Sequence, residues 1–155
     1  GSRVFVIERY DAKSRLEIYR VPLARGLTST GAFSIAARDS WIAVGGDYRK
    51  PDDPSGTAAF SPGGARHWSA AQSLPHGYRS AVAYDLSTKT WITVGPNGTD
   101  ISTDDGRNWR ALKPDPKLND APDADQHWKA LALLDAVVLH GRIGTLRPSA
   151  LTPVK

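Results

Sequence analysis

Cysteine is absent from the 155-residue chain. That excludes disulfides, thiolate metal sites and cysteine nucleophiles, and it leaves the compartment undetermined. Glutamate is nearly absent as well, with Glu8 and Glu17 the whole supply. Glycoside cleavage needs two placed carboxylates, so this scarcity weighs against such chemistry within these residues alone. No apolar run approaches the roughly 18 to 20 residues of a membrane span; the longest, near Ala130 to Leu139, is broken by Asp135. Nor is charge gathered in blocks. The 20 Lys and Arg against 16 Asp and Glu give +4, scattered along the chain. Nucleic-acid binding would call for a basic stripe with interleaved aromatics, and none is present. No signal peptide is legible. Gly1-Ser2 reads as an expression remnant, so the natural N-terminus is expected to lie elsewhere.

What remains is an ordinary globular balance, 40% hydrophobic and 23% charged. Helical periodicity nowhere persists for three turns, whereas short alternating runs separated by Gly, Pro, Asp and Asn recur throughout. All-β structure is therefore expected. The strands read as Arg3 to Glu8 with Arg15 to Val21, Phe33 to Ala37 with Trp41 to Val44, and Thr57 to Ser61 with His67 to Ala70. They continue as Ser80 to Tyr84 with Thr90 to Val94, and Thr99 to Ser102 with Asn108 to Leu112. Trp128 to Leu133, Ala136 to Leu139 and Arg142 to Leu146 would begin another unit.

These strands repeat. Phe33-Ser34-Ile35-Ala36 through Trp41-Ile42-Ala43-Val44-Gly45 returns as Ser80-Ala81-Val82-Ala83 through Trp91-Ile92-Thr93-Val94-Gly95, and more faintly from Ala130 to Val138. Four strands every 40 to 50 residues or so is the signature of a propeller blade. The expected fold is a partial β-propeller of about three to four four-stranded antiparallel blades, a single domain over residues 1–155. Its units fall at about 1–23, 31–71, 79–112 and 127–146, with a tail at 147–155.

Ser102-Thr103-Asp104-Asp105-Gly106-Arg107-Asn108-Trp109 fits S-x-D-x-G-x-x-W at all four defining positions, Ser102, Asp104, Gly106 and Trp109. An Asp accepts hydrogen bonds from its own turn, a Gly takes positive φ, and the Trp packs between sheets. An eroded copy runs from Ser61 to Trp68, with Gly63 and Ala65 in the Asp and Gly places; Asp11 is the only trace in the first unit. On these residues the chain resembles the Asp-box (BNR-type) repeat propellers. Within them it resembles the photosystem II assembly/stability factor-like BNR proteins of bacteria. That second likeness rests on Gly45-Gly46-Asp47-Tyr48-Arg49-Lys50-Pro51, on Gly77 to Tyr84, on Val94-Gly95-Pro96-Asn97-Gly98 and on His140 to Gly144. The resemblance implies the C-terminal half of a longer, exported protein, periplasmic or extracellular. It implies a non-catalytic scaffold for a protein or peptide, completed by the other half of the propeller or by a second copy. Sialidase-like Asp-box propellers offer the alternative, a glycoside hydrolase or lyase with its catalytic carboxylates in a missing half.

In such a fold the long connections Gly46 to Gly56, Ala71 to Gly77 and Lys113 to Gln126 share one face, and the box turns lie on the other. Long loops on a rigid scaffold are where binding concentrates. The candidate partner-binding residues are therefore Asp47, Tyr48, Arg49, Lys50, His76, Tyr78, Arg79, Gln126, His127 and Arg142, with Asp125 and His140 nearby. Arg49, Arg79 and Arg142 could converge on a carboxylate or phosphate; otherwise each pairs with a local Asp such as Asp47 or Asp125. His76, His127 and His140 lack metal-ligand spacing, so no metal or cofactor is expected. Pro96-Asn97-Gly98 reads as a hairpin turn. Ser61, Trp68 and the intact box read as structural. An open half-propeller is expected to expose a flat apolar side including Val82, Ile92, Leu131 and Val137.

Overall fold

A computed structural model describes residues 3–10, 13–131 and Leu151. The chain is all-β over these residues, with a short 3-10 turn at Pro116–Leu118. Strands β1 (Arg3–Tyr10) and β2 (Lys13–Arg20) form an antiparallel hairpin. The next four, β3 (Thr30–Ala37), β4 (Ser40–Asp47), β5 (Ala58–Pro62) and β6 (Ser69–Ala70), make a four-stranded antiparallel sheet in chain order. A second such sheet holds β7 (Ala81–Asp85), β8 (Thr90–Gly95), β9 (Gly98–Ser102) and β10 (Arg110–Leu112). The strands expected from alternation are present in both sheets.

Register makes the two sheets copies of one unit. Trp41 lies opposite Ser61 in the first, and Trp91 lies opposite Ser102 in the second. The unequal spacing of the repeat resides in one connection: residues 48–57 join β4 to β5, whereas 96–97 alone join β8 to β9. Glycine is required where the inner strands close. A Cβ on Gly45 would stand 1.8 Å from the Gly31 carbonyl oxygen, and one on Gly95 would stand 2.2 Å from that of Tyr78.

The central strands β4 and β8 are buried along almost their whole length, which explains their nearly unbroken apolar runs. Alternation then sends neighbouring residues to opposite faces. Ile42, Val44, Ala58 and Phe60 of the first sheet meet Val82, Trp91 and Trp109 of the second in one core. The opposite face of the first sheet, through Ala43 and Ala59, is covered by Val21 and Leu23. The opposite face of the second, through Ile92, Ile101 and Leu112, is covered by Leu131 and Leu151. Val82 and Ile92 are therefore interior, contrary to the expectation of an exposed apolar side, because each sheet face already has a covering layer. Leu131 is half-buried in that layer, and Val137 lies outside the described residues.

Trp128 to Leu131 runs without strand pairing, and the remaining strands expected of a fourth unit lie outside the described residues. So does Asp11.

Ile42 is wholly buried between the sheets, whereas Ile35 on β3 is 42% exposed. Ile42→Ala should cost about 2–5 kcal/mol in urea unfolding, and Ile35→Ala about 0.5 kcal/mol or less. Equal costs would contradict face-to-face packing of the two sheets.

Candidate partner-binding face

Antiparallel pairing puts the turns β3–β4, β5–β6, β7–β8 and β9–β10 at one end of the sheets. The connections β4–β5, β6–β7 and β8–β9, with the segment after β10, lie at the other end.

The intact box pins the first of these ends. Ser102 Oγ donates to Asp104 Oδ1 (2.8 Å) and accepts from the Gly106 amide (3.0 Å). The Asp104 carboxylate also accepts from the Asn108 amide (2.9 Å) and Nδ2 (2.8 Å). Burial pushes the Asp104 pKa up, but those Asn108 and Ser102 donors and the Arg107 charge outweigh it and hold it below the ordinary carboxylate value. Trp109 Nε1 donates back to the Gly106 carbonyl at 3.1 Å. The turn is also an intersheet contact, since a Cβ on Gly106 would stand 2.4 Å from Ile42 Cδ1 of the first sheet.

The eroded copy retains the tryptophan bond and shifts the serine one, which serves the amide six residues on instead of four. The His67 amide donates to Ser61 Oγ (3.2 Å), and Trp68 Nε1 donates to the Ala65 carbonyl (2.7 Å). Its backbone differs in a way the motif alignment does not show. Positive φ falls on Asp105 (58°) and Gly106 (75°) in the intact box, but on Gly63 (65°) and Gly64 (135°) in the copy. The left-handed pair has moved one place earlier, onto the position where the motif has Asp. The four aligned tryptophans are sheltered at this end: Trp91 and Trp109 are buried, Trp41 and Trp68 half-buried.

At the other end the residues expected to face a ligand divide into two sets. One set turns inward. Arg79 is fully buried. Its Nε donates to Asp100 Oδ2 at 2.7 Å, and its Nη2 also pairs with that carboxylate. Its Nη1 donates to the Tyr78 carbonyl (2.8 Å) and to Asn97 Oδ1 (2.6 Å). His76 completes the network, with Nδ1 2.9 Å from Asp100 Oδ1 and Nε2 3.0 Å from the Asn97 carbonyl. Asn97 Nδ2 reaches across to the Pro51 carbonyl (2.9 Å) and Asp52 Oδ1 (3.0 Å). Burial pulls the Arg79 pKa down, while the Asp100 carboxylate and the charge of Asp125 hold it up. Arg79 is thus no free fork for an anion. Its partner is Asp100, not Asp47 or Asp125.

Asp47 also turns in. A Ser29 hydrogen bond first, then the Arg49 amide at 3.0 Å, lower its pKa. Asp125 tethers the segment after β10: its carbonyl accepts from Thr99 Oγ1 at 2.9 Å, and its Oδ1 is buried without a hydrogen-bond partner. Gln126 is half-buried, its amide donating to the Asp123 carbonyl at 3.0 Å. The exposed His127 has φ 67° and donates its amide to the Pro96 carbonyl at 2.9 Å. Arg142 and His140 lie outside the described residues. The described His, Asp and Glu residues form no cluster of three that could hold a metal ion.

The outward set is aromatic. Phe33, at the register shift of β3, joins Tyr48 after β4 and Tyr78 before β7. The centroids stand 6.0 Å apart for Phe33 and Tyr48, 5.0 Å for Phe33 and Tyr78, and 6.5 Å for Tyr48 and Tyr78. Their planes cross at 86°, 85° and 75°, so the rings are close to mutually perpendicular. Phe33 is 44% exposed and Tyr48 46%. Arg49 and Lys50 follow Tyr48 at the surface. Phe33 is not among the loop residues expected at this face, because it sits inside a strand. The signal for it is an aromatic residue at the sheet-edge bulge, where the alternation slips.

Comparison with protein-family models, with curated proteins and with solved structures finds no match to this chain.

Two substitutions test this division. Gly63→Asp restores the motif letter but forces an Asp to φ 65°, so it should destabilise by about 1–2 kcal/mol in denaturant unfolding. Stabilisation would show that the box sequence outweighs its backbone. Arg79→Met leaves Asp100 a buried charge without its cation and should cost about 3–5 kcal/mol. A cost below about 1 kcal/mol, the range of exposed pairs, would contradict the buried network.

Proposed function

We propose that the two sheets are neighbouring blades of a partial Asp-box propeller, and that the chain is a non-catalytic scaffold whose long-connection end binds a protein or peptide. The blade reading draws support from the matched register of Trp41 with Ser61 and of Trp91 with Ser102. It draws further support from the stacking of one sheet on the next through Gly106 and Trp109. On this reading the chain completes its ring with the other half of the protein or with a second copy. Among the described residues no helix is long and apolar enough to cross a membrane.

The observation that carries the binding reading is the ring trio of exposed Phe33 and Tyr48 with half-buried Tyr78. Aromatic rings give large apolar contact at low entropic cost, and tyrosine hydroxyls add a polar handle, which is why such residues anchor interfaces. Arg49 and Lys50 beside Tyr48 favour a partner whose apolar anchor is flanked by acidic groups. The Arg79 and Asp100 side chains, by contrast, are committed to holding the loops.

Selection of displayed peptides on the immobilised chain tests this. Enriched peptides should carry an apolar or proline anchor beside Asp or Glu. Tyr48→Ala should weaken their binding by about 2 kcal/mol or more while leaving cooperative unfolding in place. Failure to enrich any sequence, or binding indifferent to both Tyr48→Ala and Phe33→Ala, would overturn the proposal. Turnover of fluorogenic glycosides would redirect it to catalysis.

A further inference from the structure

The His76 ring occupies a position that its two protonation states satisfy unequally. Nε2 faces the Asn97 carbonyl at 3.0 Å, and a carbonyl only accepts, so this nitrogen carries a proton in either state. Nδ1 lies 2.9 Å from Asp100 Oδ1 and 2.9 Å from Arg79 Nη2. In the neutral ring Nδ1 is a bare acceptor. It takes the Arg79 proton and leaves Asp100 Oδ1 facing a lone pair. In the imidazolium, Nδ1–H donates to Asp100 Oδ1 while Arg79 holds Oδ2, so both carboxylate oxygens are engaged, at the expense of the Arg79 Nη2 bond to Nδ1.

The groups around the ring come from every segment at this end. Asp100 stands on β9 and Arg79 before β7. Asp125 stands in the segment after β10, and a Cβ on Gly98 would lie 3.2 Å from its Oδ2 and 2.5 Å from His76 Nε2. Asp52 reaches the cluster through Asn97. The formal charges of Arg79, Asp100, Asp125 and Asp52 sum to two negatives, one of which a proton on His76 offsets. Burial and the Arg79 charge oppose that proton.

We propose that His76 is a proton-operated latch on the long-connection end: its protonated form ties the 96–98 turn and the 125–127 segment to Arg79 and Asp100 and thereby fixes Tyr78. The link to Tyr78 is direct, because its carbonyl accepts from Arg79 Nη1 at 2.8 Å and its amide donates to the Pro51 carbonyl at 2.9 Å. As a control on partner binding, the latch rests on the reading of the ring trio as the binding site; as a device that tightens the loops, it does not.

The electrostatics agree with this geometry. The Asp100 hydrogen bond raises the His76 pKa above its ordinary 6.5, against burial; the Asn97 carbonyl and the Asp100 charge add to the rise, and Arg79 subtracts. A folded pKa above the unfolded one gives stability that is fully present below 6.5 and is lost as pH climbs through the folded value.

The test is an NMR pH titration of the whole chain with amide exchange read at about pH 5 and about pH 8, the span over which histidine changes charge. His76→Gln assigns the ring signal among the histidines. The His76 ring should titrate above 6.5. After correction for intrinsic exchange, the Tyr78 and His127 amides should be better protected at the lower pH, by about tenfold for each unit of elevation. The Gly63 amide, bonded to the Asp39 carbonyl at the far end, is the control and should not change. In His76→Gln the pH dependence of Tyr78 and His127 should vanish. A wild-type ring titrating at or below 6.5, or Tyr78 and His127 protection equal at the two pH values, overturns the latch without reliance on any variant. If the latch operates but Tyr48→Ala and Phe33→Ala both leave selected-peptide binding unchanged, the latch stands and the binding reading falls.

Discussion

A guanidinium with no access to water must find acceptors for its fixed fork of donors, and that requirement organises one whole end of the molecule. Arg79 takes its acceptors from β9, from the β8–β9 turn and from its own chain neighbour Tyr78. Asn97, held by Arg79, reaches in turn to the connection between β4 and β5 in the other sheet. Segments distant in sequence are thus fixed by satisfying one buried cation. Gly95 belongs to the same constraint, since a side chain there would strike the Tyr78 carbonyl and the Arg79 fork. Replacing the cluster by apolar groups could stabilise the fold equally well; what the charges add is a fixed geometry for the loops they join.

The opposite end works by shorter reach. The box closes on itself within a single turn, through Ser102, Asp104 and Asn108, and then offers Gly106 and Trp109 to the neighbouring sheet. Because the pin is local, its loss in the first sheet is tolerable. Gly63 and Gly64 supply the reversal by conformational freedom instead, and Ser61 still accepts from the His67 amide. One end is thus stapled turn by turn, and the other is held by a single network that spans connections.

Those different ranges explain what could be read from the residues alone. Strands are legible because β4 and β8 announce themselves as apolar runs and the edge strand β3 alternates. The box was legible because its hydrogen bonds join residues no more than four apart. Arg79 reads as an anion fork or as the partner of a nearby Asp, and nothing local indicates that this Asp lies on another strand. Nothing marks Asp100 for the same reason: within Gly98–Ser102 it reads as one more polar residue beside a turn. Asn97 was read as a turn former, which it is, but its side chain carries more of the fold than its backbone. Phe33 escaped notice because a strand pattern gives no warning of the register slip between Ala32 and Ser34 that turns its ring outward.

The outcome inverts the usual relation of charge and aromatic residues. At the long-connection end the strongest charges are inside and spent on one another, while the rings stand at the surface. A partner approaching that end meets no guanidinium fork from Arg79. It meets ring faces and edges in three nearly perpendicular orientations, with the flexible cations Arg49 and Lys50 at the border. Recognition on such a surface depends on apolar shape first and charge second, because ring burial is insensitive to salt whereas exposed cations are screened over about 10 Å. The buried charges still bear on it, through Tyr78. Its backbone is bonded to Arg79 and to Pro51, and its ring touches Phe33 at 5.0 Å, so whatever loosens the network displaces one wall of the platform. The interior ion cluster and the exterior rings are therefore one structural unit, joined at a single residue.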